Sequence, residues 1–162
     1  MVAKQISGYW IATDTTVTIP VRETACSCGC GLNNPSQAII DGLAKLINSL
    51  DNNHNCFNVT SGCRCLKSNN ALSNSSKTSK HLPDENGICH ALDITNSKYT
   101  SKILLVFARG LYQDKFGIGY YPHMNIIHMD DREDMGRWIY IAEYKPLTSE
   151  DLWEKYIDDR EV

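Results

Sequence analysis

Three short segments hold most of the side chains able to do chemistry: Ser79-Lys80-His81, Cys89-His90-Ala91-Leu92-Asp93-Ile94, and His123-Met124-Asn125-Ile126-Ile127-His128-Met129-Asp130. Imidazole nitrogen and carboxylate oxygen are zinc donors, and a catalytic zinc takes three protein ligands while keeping one position open. Two histidines and one carboxylate drawn from separate segments meet that need, and His81, Asp93 and His128 are the candidate set. A metal held this way activates water and polarises a carbonyl, which is the chemistry of hydrolysis. Composition alone leaves a plainer alternative, because histidines and acids are common on solvated surfaces. His90 is a rival ligand, but on a strand it points to the face opposite Asp93.

These side chains need elements to position them. Asn125 to Asp130 and Ala91 to Ile94 read as strands. Alternation then places Ile126, His128 and Asp130 on one face and Ile127 and Met129 on the other. Gly117 to Tyr121 and Trp138 to Ile141 are further strands, as are one or two segments within residues 9–22 and a short one over Cys56 to Thr60. From Gln37 to Leu50, apolar residues recur at Ile39, Ile40, Leu43, Leu46, Ile47 and Leu50, a helical spacing that Ser36 can cap. A second helix is expected over Ser101 to Tyr112, and a third, C-terminal one over residues 147–158. The Ser-, Asn- and Lys-rich stretch 66–80 reads as a surface loop with a short helix near Asn69 to Leu72. Strands and helices mix without regular βαβ alternation, so the fold class is α+β. Lining a groove is open to Trp138, Tyr120 and Tyr121, but aromatics of this kind are more often core, so they stay outside the expected site.

The chain has 162 residues, the size of one domain, and no linker or repeat divides it. A net charge of -3 lacks the basic footprint of duplex binding, so no nucleic-acid partner is expected. No apolar run is long enough for a membrane span, and Met1 to Ile19 lacks the apolar core of a signal peptide. Seven cysteines (26, 28, 30, 56, 63, 65 and 89) are many for such a chain. Free thiols, one or two disulfides and a structural zinc all remain open, since Cys26-x-Cys28-x-Cys30 is not a zinc-finger spacing, although Cys63-x-Cys65 can join it in space.

Three ordered blocks resemble the zinc D-Ala-D-Ala carboxypeptidases and peptidoglycan endopeptidases of peptidase family M15, closest to their short phage and bacterial members. The family's SGYR appears as Ser61-Gly62-Cys63-Arg64. Its S-x-H-x-x-G-x-A-x-D appears as Ser79-Lys80-His81 and, after an insertion, Ala91-Leu92-Asp93. Its H-x-D followed by R-W appears as His128-Met129-Asp130 and Arg137-Trp138. The resemblance covers roughly residues 24–142. Eleven residues separate His81 from Asp93 where the family has six, and the excess falls within residues 82–88, where a surface bulge can absorb it. Cys89 replaces the family glycine and Cys63 the tyrosine.

The resemblance implies a hedgehog/DD-peptidase-like fold: a small antiparallel sheet flanked by helices around a zinc ion bound by His81, Asp93 and His128. It implies an enzyme cutting an amide bond in cell-wall peptides, with Arg64 and Ser79 meeting the substrate. The family's proton-transfer group lies three or five residues before the last zinc histidine. Three back is Asn125, which is no base, and five back is His123, which is one. His123 is therefore preferred as acid/base, with Asp130 as the other candidate, whose plainer role is to orient a ligand histidine. A monomer made in the cytoplasm and acting at the cell wall, as a phage lysis enzyme does, is the expected setting. The alternative is a catalytically degenerate zinc-binding domain of the same fold.

Overall fold

The computed structural model describes residues 1–50, 54–73, 75–113, 115–140 and 146–147. An N-terminal antiparallel sheet joins β1 (Lys4–Ile6), β2 (Tyr9–Ile11) and β3 (Thr18–Pro20). Ser7 and Gly8, both at positive φ, form the tight turn between β1 and β2, as two-residue hairpins require. All of β1 is exposed, so no burial pattern announces it.

The larger sheet contains β4 (Phe57–Ser61), β5 (Ala91–Asn96), β6 (Gly117–Tyr121), β7 (Ile126–Asp130), β8 (Gly136–Tyr140) and β9 (Pro146–Leu147), in the order β4-β5-β7-β6-β8-β9. Its pairs are antiparallel except β6 with β8, which run parallel. The expected antiparallel sheet is thus mixed at one pair, because the chain reverses direction over 131–135 and crosses to the far side of β6, so β8 runs antiparallel to β7 and parallel to β6. Leu147 pairs with Ile139 in β9, and the rest of the helix expected over 147–158 lies outside the described residues.

Helix α1 (Gln37–Leu50) buries Ile39, Ile40, Leu43, Ala44, Leu46 and Ile47 in the core that it shares with both sheets. Ser36 Oγ accepts the Ile39 N–H at 3.1 Å, satisfying a donor that the helix itself leaves unpaired. Helix α3 (Ser101–Leu111) adds Leu104, Leu105 and Ala108 to the same core. The short α2 spans Leu66–Asn70, starting three residues earlier than the sequence suggests because Cys65 caps it. The sheet contributes Leu92, Ile94, Ile118, Ile127, Met129 and Ile139 to the core. By alternation, Asp93, Gly119, His128, Asp130 and Trp138 belong to the other face. No described helix is long and apolar enough to cross a membrane.

Candidate metal centre

Strand register gathers the site. Asp93 on β5 stands opposite His128 on β7, and His128 stands opposite Gly119 on β6. His81 arrives from outside the sheet, on the loop before the insertion. Its own N–H reaches Ser79 Oγ at 3.3 Å, and its carbonyl accepts the Arg64 N–H at 2.8 Å.

Three donor atoms converge there. His128 Nδ1 is 2.8 Å from Asp93 Oδ1, His81 Nε2 is 3.2 Å from the same oxygen, and the two ring nitrogens are 3.2 Å apart. Tetrahedral zinc with bonds of about 2.0–2.1 Å sets ligand separations of about 3.3 Å. The triangle is therefore close to zinc's size, and its two imidazoles and one carboxylate are a zinc donor set. Each candidate ligand has an outer partner. His81 Nδ1 lies 2.7 Å from the Gly62 carbonyl, His128 Nε2 lies 3.2 Å from Asp130 Oδ2, and Asp93 Oδ2 accepts from Arg64 Nη2 at 2.8 Å. Such partners fix which ring nitrogen is free to ligate.

Electrostatics follow from this packing. Burial holds His81 below the ordinary histidine value, against the pull of Asp93. Burial opposes charge on His128 as well, but Asp130 and Asp93 beside it outweigh that and raise it. Burial also works against the Asp93 anion, yet His81 and His128 hold its carboxyl well below the usual range. Asp130 is buried and likewise held down, by His128 and by Arg132, whose Nε and Nη2 each donate to it at 2.6 Å.

The centre opens into a cavity of about 820 Å³ lined by Arg64, Ser79, His81, Tyr121, His128 and Trp138 among others. Residues 15–130 match the family described as Peptidase M15. The chain belongs to the peptidase M15 family. The match contains His81, Asp93, His128 and Asp130. Comparison with curated proteins and with solved structures gives no match.

Within this M15 chain the structure brings together His81, Asp93, His128, Arg64 and Asp130, with Ser79 in the cavity wall. His123 is not brought in. It sits on the exposed 3-10 turn Pro122–Met124 and is not among the cavity-lining residues. Asn125 has a left-handed backbone and accepts the Ser101 N–H at 2.7 Å, so it anchors the start of α3. His90 is held by Asp131 at 2.8 Å and Asp84 at 3.2 Å, apart from the three candidate ligands. The insertion folds outward: Pro83 to Asn86 are exposed, and Gly87, at φ +76°, closes the turn.

Sequence reasoning keeps Tyr121 and Trp138 outside the expected site, and of the two readings open to them the structure takes the groove. Both line the cavity, whereas Tyr120 is core. Trp138 Nε1 donates to the Tyr121 hydroxyl at 3.1 Å, and its ring centroid lies 5.1 Å from that of His128. Burial pushes the Tyr121 phenol up, which keeps it a protonated donor. The signal was available in β6. Gly117 and Gly119 share alternation with Tyr121, and a Cβ at Gly119 would come within 3.0 Å of the Trp138 indole.

Proposed function

We propose that this peptidase is zinc-dependent and hydrolyses an amide bond in bacterial peptidoglycan peptides, as a carboxypeptidase or an endopeptidase. The observation that carries the reading is the near-equilateral set of His81 Nε2, Asp93 Oδ1 and His128 Nδ1 at the cavity, each backed by an outer partner. The three sequence blocks resembling cell-wall peptidases support the substrate class and a hedgehog/DD-peptidase-like fold. They also support action at the cell wall, as by a phage lysis enzyme.

When bound, zinc would act as a Lewis acid on the scissile carbonyl and as an activator of water. The remaining work falls to side chains. Arg64 fixes the Asp93 carboxylate and, lining the cavity, offers positive charge to a substrate carboxylate or a developing oxyanion. The Tyr121 hydroxyl is a second donor on the same wall. Asp130 is committed to Arg132 and His128 as an anion, which suits orienting His128 better than accepting protons. His123, two residues past the cavity residue Tyr121 and outside the cavity lining, is the proton carrier in this reading on the strength of the family pattern, since catalytic hydrogen bonds often form only with substrate in place.

One observation favours the degenerate alternative. Asn125 occupies the family's acid position and its side chain is spent on α3. The deciding experiment measures clearing of purified cell walls and release of peptides, with chelator and after zinc is restored. Zinc-dependent cleavage is expected. Tight zinc binding without cleavage of wall or of D-Ala-D-Ala dipeptide would leave only the binding domain.

A further inference from the structure

A second group of metal donors lies outside the site just described. Cys26, Cys28, Cys30 and Cys65 place their sulfurs all within 4.8 Å of one another. All four are free thiols; Cys28 and Cys30 are exposed, Cys65 is half-buried and Cys26 is buried. Cys26 Sγ is 3.4 Å from Cys28 Sγ, and Cys28 Sγ is 3.6 Å from Cys65 Sγ. Those are far from a covalent sulfur–sulfur bond of about 2.05 Å. They approach the edge of about 3.8 Å that a tetrahedron with zinc–sulfur bonds of about 2.3 Å requires.

The backbone is shaped around these sulfurs. Gly29 and Gly31 take positive φ, at +73° and +84°, which lets the Cys-x-Cys-Gly-Cys-Gly loop curl. The Gly29 N–H meets the Cys26 carbonyl at 3.2 Å, and the Cys26 N–H meets the Leu32 carbonyl at 2.9 Å, closing the loop. Two further backbone N–H groups point at sulfur: Cys65 N–H to Cys26 Sγ and Ser68 N–H to Cys65 Sγ, each at 3.4 Å. Donors of this kind favour thiolate over thiol. Cys65 comes alongside because Gly62 passes so close to Thr24 that a Cβ would come within 3.0 Å of its backbone, while the Cys63 N–H bonds the Thr24 carbonyl at 2.8 Å.

We propose that Cys26, Cys28, Cys30 and Cys65 bind a structural zinc ion as four thiolates. On binding, each thiol gives its proton to solvent and forms one sulfur–metal bond, with no change of oxidation state. The ion closes the site on all four sides, so it has no open position for water and no part in hydrolysis. Its role is to tie the 26–30 loop to the residue following Arg64. Gly62 and Arg64, the outer partners of His81 and Asp93, are thereby held from one side.

The proposal stands independently of the catalytic reading, and its test keeps them apart. The double variant His81→Ala/Asp93→Ala removes the first donor set. Purified under reductant, it is expected to retain one zinc per chain, and Cys28→Ser/Cys30→Ser added to it is expected to abolish that zinc. Cobalt added to metal-free protein is expected to give intense thiolate-to-cobalt charge-transfer absorption, which a His/Asp site cannot produce. Cobalt titration of the wild-type chain gives the same readout should the variants fail to fold. Absence of thiolate–cobalt bands in folded, reduced protein would overturn the proposal. So would peptide mapping of freshly isolated protein that finds Cys26, Cys28, Cys30 or Cys65 in a disulfide, each bridge lowering the mass by a pair of hydrogens.

Discussion

Arg64 Nη2 donates to Asp93 Oδ2 at 2.8 Å while the other carboxylate oxygen, Oδ1, faces both His81 and His128. The guanidinium thus decides which oxygen is left for a metal. Its Nε is occupied by Ser61 Oγ at 2.8 Å, and its backbone N–H by the His81 carbonyl, so the arginine is gripped at three points. Arg64→Ala frees Asp93 to rotate. Zinc affinity is expected to fall about 10–100-fold, as for loss of other outer partners. Competition against a chromophoric chelator measures this, and an unchanged affinity would confine Arg64 to substrate contacts.

His123 and Asp130 separate by the same kind of measurement. If His123 carries the proton, His123→Ala keeps its zinc and loses about 10²–10⁴-fold in kcat, the usual worth of an acid/base group. A full rate in that variant refutes the assignment. Asp130→Asn is expected to do the reverse. It weakens the hold on His128 Nε2 and breaks the ion pair with Arg132, so zinc affinity falls first, and excess zinc restores part of the rate.

Gly119 faces Trp138 across the parallel β6–β8 pair. An alanine there would press its Cβ against a rigid indole rather than a flexible side-chain end. Overpacking of this kind costs about 1–3 kcal/mol. Gly119→Ala is expected to lower the melting temperature, shift tryptophan fluorescence as Trp138 leaves the Tyr121 hydroxyl, and raise KM. Trp138→Phe keeps the ring beside His128 but loses the donor, and is expected to have the smaller effect on stability.

The parts of this architecture legible in the sequence are those set by local periodicity. The 3.6-residue spacing from Ile39 to Leu50 locates α1, and alternation along Ile126 to Asp130 correctly puts Ile127 and Met129 in the core. The grouping of His81, Asp93 and His128 needed ordered motifs as well, since no local rule links positions so far apart. What stayed hidden depends on long-range approach. Arg64 meets Asp93 only because β4 pairs with β5, and Trp138 reaches His128 only because β8 joins β6 in parallel. That Cys65 joins the Cys26 loop is one of the arrangements open in the sequence, but the Gly62–Thr24 contact that selects it leaves no periodic trace.

The insertion between His81 and Asp93 offers a prediction about pH. Asp84 organises it: Oδ1 accepts the N–H groups of Asn86 at 2.8 Å and Ile88 at 2.9 Å, and Oδ2 lies 3.2 Å from His90 Nε2. The Ile88 N–H, with help from His90 and Asn86, holds the Asp84 carboxyl down to about 2. An unfolded aspartate titrates near pH ~3.9. A carboxyl whose folded value is depressed stabilises the fold above its unfolded value and loses that contribution as pH falls through the folded one. The wild-type chain should therefore melt above Asp84→Asn at neutral pH, and the difference should shrink between about pH 4 and about pH 2. Because the carboxylate is exposed, the effect is small, and the difference between the two melting curves isolates it from other acids titrating in the same range. A difference that stays constant down to pH ~2 would show that the Asp84 charge does not hold this turn.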